Sequence, residues 1–138
     1  MRTVSRRLLG EIDRAAAAVE GTGARFDAAI ETWALYALRN RRQTWALVYE
    51  PVDPLVDAER LASRRMYRDN LAALLRQGID AGELPPQDPE LSAAAIVGAI
   101  AEALVGPLSP VSDDDRQPEE IVAATVAICR RAAGLPPA

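Results

Sequence analysis

Histidine and lysine are absent from this 138-residue chain, and cysteine occurs once, at Cys129. Without His, the usual general base of hydrolytic triads is missing, and without His or paired Cys there is no zinc-ligand set. A lone thiol closes no internal disulfide, which points to a reducing compartment, the cytoplasm. No phosphate-cradling glycine loop or Gly-x-Gly-x-x-Gly turn occurs, and the acids fall mainly at caps, loops and exposed helix faces. The chain is therefore expected to be no enzyme and to need no metal or cofactor. Positive charge is also short: 16 basic residues, all Arg, against 20 acidic ones give −4, which argues against a free-standing nucleic-acid binder. Long apolar runs are scarce. The longest low-charge run, 91–109, contains Glu102 and is interrupted by Gly98, Gly106 and Pro107, so it reads as a buried helix and not a membrane span. Residues 1–10 carry Arg2, Arg6 and Arg7 but lack the apolar stretch of a signal peptide.

Strand patterning is missing too, whereas apolar residues recur at three and four throughout, predicting an all-α fold, an antiparallel bundle of five or six helices. A first helix over about 3–19 carries Val4, Leu8, Ile12 and Val19 and ends at Gly21-Thr22-Gly23. A second, about 24–39, places Phe26, Ile30, Trp33 and Ala37 on one stripe with Ala29, Tyr36 and Asn40 beside it. A short continuation from Arg41 carries Trp45, Val48 and Tyr49 until Pro51 and Pro54 stop it. Asp53 or Asp57 then caps a long helix to about residue 81, with Leu61, Met66, Tyr67, Asn70, Leu71, Leu74, Leu75 and Ile79 on its apolar side. Gly82 suits the left-handed position that ends it, and Leu84 folds back on the last turn. Asp88-Pro89-Glu90 opens a helix to about residue 105, a loop covers 107–115, and Pro118-Glu119-Glu120 opens a last helix ending at Gly134.

Two asymmetries stand out. Residues 1–76 hold 13 Arg against 10 acids and residues 77–138 hold 3 against 10, so the halves face different surroundings. Five of the six aromatics, Phe26, Trp33, Tyr36, Trp45 and Tyr49, lie within 26–49, and the sixth is Tyr67. Rings give a cavity rigid walls, and the Tyr hydroxyls with Asn70 could orient a ligand's polar atoms; Met66 could line a pliable wall. The expected ligand-binding set is Phe26, Trp33, Tyr36, Trp45, Tyr49, Met66, Tyr67 and Asn70. The helix after Pro89 is apolar on every side and the last has a broad apolar face, more than a chain of this length easily covers, so self-association is expected.

The runs Tyr67-Arg68-Asp69-Asn70-Leu71-Ala72-Ala73-Leu74-Leu75-Arg76-Gln77-Gly78, Ala81-Gly82-Glu83-Leu84 and Asp88-Pro89-Glu90-Leu91-Ser92-Ala93-Ala94 resemble the regulatory half of TetR-type transcriptional repressors. There a long helix ends in a Gly-Glu-Leu turn and an Asp-Pro-Glu-Leu cap opens the penultimate helix. The resemblance implies one helical domain over 1–138, with a connecting helix (1–20), pocket helices (24–82) and dimerisation helices (89–134). It implies a cavity between the first three long helices, the short one near Trp45 and the inner side of the penultimate helix. The last two helices would form a dimeric four-helix bundle through Leu91, Ala94, Ala95, Gly98, Glu102, Val105, Ile121, Thr125, Ile128 and Cys129. Nothing in the sequence matches that family's N-terminal helix-turn-helix, so DNA contact is expected only through an absent N-terminal part. The function so implied is the effector-binding, dimerising domain of a TetR-like repressor, with a small hydrophobic or amphipathic effector and no membrane partner. The alternative is a helical protein–protein interaction module without a small-molecule ligand.

Overall fold

The computed structural model describes residues 2–137. Among them seven helices follow one another without a strand: α1 (Arg2–Ala17), α2 (Thr22–Arg39), α3 (Arg41–Val48), α4 (Pro54–Asp80), α5 (Pro89–Ala103), α6 (Val105–Leu108) and α7 (Pro118–Ala133). Prolines and capping side chains set several boundaries. Asp53 and Asp88 stand in extended backbone before Pro54 and Pro89. The Asp53 side chain accepts from the amides of Leu55 and Val56, and that of Asp88 from Glu90 and Leu91. At α7 Pro118 takes the first position, and Glu120 accepts from the Gln117 amide at 3.2 Å.

Seven helices exceed the expected five or six because the apolar run after Pro89 breaks at Leu104. Pro107 has no amide hydrogen to offer the Ala103 carbonyl, and its ring would crowd that oxygen, so α5 stops at Ala103. In the new single turn α6, Pro107 occupies a position that needs no intrahelical acceptor. The sequence pattern predicted loop there.

Helix α2 is the centre of the bundle, packed against α1, α4 and α7 and touching α3 and α6, while α5 lies between α4 and α7. Side-chain pairs fix the directions. Arg2 with Glu59, Ser5 with Ser63 and Asp13 with Asn70 ascend together, so α1 and α4 run parallel; Asp27 with Arg130 and Arg39 with Glu119 show α2 and α7 running oppositely. The bundle is thus not wholly antiparallel, since α2 and α3 carry the chain back between α1 and α4.

Two apolar clusters result. The larger joins α2, α4, α5, α6 and α7 around Phe26, Leu75, Ile96, Leu104, Leu108 and Cys129, all fully buried. The smaller gathers Leu8, Ile12 and Ala29, with Trp33, Tyr36, Tyr67 and Leu74 packed against it. Two glycines mark close approaches. A Cβ on Gly78 would come 2.5 Å from Thr22 Cγ2 and 2.8 Å from Leu84 Cδ1, and one on Gly134, at φ 83°, would come 2.5 Å from Pro85 Cγ. No helix among the described residues is long and apolar enough to cross a membrane.

Candidate functional site

A cavity of about 210 Å³ opens between the two clusters, and α1, α2, α3, α4 and α5 all contribute to its wall. Helix α1 supplies Val4, Ser5, Leu8 and Ile12; α2 supplies Ala29, Ile30, Trp33, Tyr36 and Ala37; α5 supplies Val97, Ile100 and Ala101. From α4 comes a stripe at three- and four-residue spacing, Asp57, Arg60, Leu61, Arg64, Tyr67 and Leu71, with Ser63 and Asn70 alongside. Thr44, Leu47 and Val48 of α3 close one side. The wall is mostly carbon with a few oriented polar atoms, as in small-molecule sites.

Most of those polar atoms are already engaged. Ser5 Oγ donates to Ser63 Oγ at 3.0 Å in a buried pair between α1 and α4. The Asn70 amide donates to Asp13 at 2.7 Å, a second tie between the same helices. Tyr36 donates its hydroxyl to Gln43 Oε1 at 2.8 Å. Trp33 and Tyr67 meet edge to face, with ring centroids 6.3 Å apart. Burial pushes the Tyr67 phenol above its ordinary pKa, so it keeps its proton further into the alkaline range. Arg60 donates from Nε to the Leu47 carbonyl at 2.6 Å and from Nη2 to that of Ala46 at 2.8 Å. Those carbonyls belong to the last turn of α3, where a cation also suits the negative end of the helix dipole.

Of the residues expected from sequence, Trp33, Tyr36, Tyr67 and Asn70 stand on this wall, and Phe26, Trp45, Tyr49 and Met66 do not. Phe26 lies in the larger cluster with Ile30 and Ala37 of its stripe, while the flanking Ala29 and Tyr36 turn to the smaller one and Trp33 touches both. Trp45 and Tyr49, one turn apart, lie tilted at 38° with centroids 4.9 Å apart and pack on the larger cluster, the Tyr49 hydroxyl donating to the Ala101 carbonyl. The cavity side of α3 is instead Thr44, Leu47 and Val48, a three-and-four spacing visible in the sequence but overshadowed by the rings. Met66 lies on the side of α4 away from the stripe. Sequence reasoning also missed Ser5, Ser63 and the bond of Arg60 to α3; an Arg series on a helix says nothing about which carbonyls it meets.

The residues expected at the dimer interface divide similarly. Leu91, Ala95, Glu102 and Ile128 are exposed, and Ala94, Gly98 and Val105 are half-buried. Ile121, Thr125 and Cys129 are buried within this chain, whose α7 packs against α2 and α5. Burial also pushes the Cys129 thiol up to about 11, leaving it inert at neutral pH.

The family described as tetracyclin repressor-like, C-terminal domain, matches residues 20–104, more than half of the chain. The chain belongs to that TetR-like family. It is a family of regulator domains, and it is the one to which residues 67–94 were likened. The TetR-like fold extends beyond the matched residues: the chain is similar to a transcriptional regulator of the TetR/AcrR family from Thermobifida fusca YX-ER1, with a TM-score of 0.72 at 21% identity, covering 93% of this chain and 67% of that one. Comparison with curated proteins gave no match.

Proposed function

We propose that this TetR-like domain senses a small hydrophobic or amphipathic effector and dimerises, passing the effector's presence to a DNA-reading part outside these residues. The observation that carries this reading is the cavity: an apolar hollow into which α1 contributes four residues. A guest that fits one arrangement of α1 better than another shifts the balance between them by its difference in affinity. In this reading α1 is the connecting helix, α2 to α4 with the inner side of α5 enclose the guest, and α5 and α7 form the subunit contact. The protein works in the cytoplasm.

The dimer face would consist of Leu91, which is 69% exposed, Ala95, Ala99 and Glu102 on α5, and Ala124 and Ile128 on α7, the latter 46% exposed. A Cβ on Gly98 would meet nothing within 4 Å, so the subunit's own packing does not need glycine there, and its absence leaves room for a close helix approach.

The test is a panel of small apolar molecules read by thermal unfolding and by tryptophan emission, since Trp33 faces the cavity. A binder at a hundred times its Kd should add about 2.7 kcal/mol of stability. Ala101→Phe, which fills the cavity from α5, should abolish the response while helical circular dichroism persists. A panel that leaves both signals unmoved would favour a protein-interaction module.

A further inference from the structure

We propose that the cavity selects an amphipathic monoanion, a compact apolar carboxylate whose head pairs with Arg64; this rests on the effector-cavity reading above. The wall is polarised along α4. Its stripe begins with Asp57, Arg60 and Arg64 and continues into Tyr67 and Leu71, so charge gathers at one end and rings and methyls at the other. Two guanidiniums and one carboxylate line this end, and Glu102, whose charge reaches the same Tyr49 as that of Arg64, lies outside the wall on α5. Arg60 is committed to the carbonyls of α3. Arg64 lines the cavity, is exposed to solvent, and forms no ion pair among the described residues. Asp57, two turns before it, and the exposed Glu102 of α5 leave it unpaired.

A planar guanidinium with free donors matches a carboxylate in two parallel hydrogen bonds. Beside an apolar wall that pairing is stronger than in open water. A neutral guest of the same shape would leave Arg64 unanswered, and an ammonium would meet it as a like charge. The inner end, with Ile30, Trp33, Leu71 and Ile100, offers carbon surface to a tail. An apolar cavity of about 150 Å³ holds a benzene ring, so 210 Å³ suits roughly eight to ten non-hydrogen atoms.

Calorimetric titration of the 138-residue chain with octanoate, 1-octanol and octylamine tests this. Octanoate should bind about tenfold tighter than octanol, with octylamine weakest. Arg64→Gln should erase the preference and leave octanol within about twofold. Arg65→Gln, next in sequence, exposed and off the wall, should change neither affinity. Equal affinities for the three, or a preference for octylamine, would overturn the anion inference and leave the cavity reading standing. Failure of all three to bind would overturn the anion inference, whereas the broader panel above decides the cavity reading. Loss of octanol along with octanoate in Arg64→Gln, or the same loss in Arg65→Gln, would show that Arg64 does not read the head group.

Discussion

A guanidinium sealed between two helices is costly unless its donors find acceptors, and Arg130, only 8% exposed, finds several. Its Nη1 meets both carboxylate oxygens of Asp27, at 2.7 and 2.8 Å, and its Nε donates to the Pro136 carbonyl at 2.9 Å. Asp27→Ala would strand that cation, and urea unfolding should register a loss of about 3 kcal/mol. Titrating side chains make a second prediction. In the folded chain Tyr49 is raised to about 12 by burial and, secondarily, by the charge of Glu102, while burial takes Cys129 to about 11. Unfolded, they ionise near their ordinary 10 and 9. The folded state thus holds more protons in alkali. The stability linked to these groups is complete below about pH 9 and drains away as pH climbs through 11 and 12. Urea midpoints should fall between pH 8 and pH 11, and Tyr49→Phe should flatten the fall.

Helix ends were written plainly in the sequence and helix faces were not. Gly78 makes the point. A glycine in the last turns of α4 looks like a mild weakness, yet a methyl there would press into Thr22 and Leu84. Gly78→Ala should destabilise by about 1–3 kcal/mol in chemical unfolding, and Thr22→Ser, which removes the nearer methyl, should recover part of it. Asp53, Asp88, Pro118 and Gly134 were legible because caps act within a few residues of chain. Partners across space leave no such local trace. Phe26 and Trp33 share a stripe of α2, but Phe26 is buried in the larger core while Trp33 touches both, since a helix covered on two sides keeps no polar face to say where either side begins. The same ambiguity hid the orientation of α7: Ile121 and Cys129 are buried although nothing in their apolar character sets them apart from the exposed Ile128, and Thr125 is buried with its hydroxyl donating to the Ile121 carbonyl. Half of the expected cavity residues stand on the wall for a comparable reason. Ring content located the region, and only the rotation of α2, α3 and α4 about their axes decided which rings faced the hollow.

For the whole molecule, the outward apolar surface of α5 and α7 makes the dimer prediction concrete. Light scattering at micromolar concentration should give twice the 14.8 kDa of one chain. Ala95→Glu, placing a charge at an exposed position on the proposed contact, should yield a folded monomer with unchanged helical circular dichroism. The central place of α2 has its own consequence. Asp27 and Arg130, joined across more than a hundred residues of chain, make α7 a clasp that shuts the far wall of the larger core. The family signature spans only 20–104 and stops short of that clasp. Cut out at those limits, the segment would leave Phe26, Ile96 and their neighbours open to water along one flank. The stretch by which the protein is recognised thus omits the helix that covers that flank.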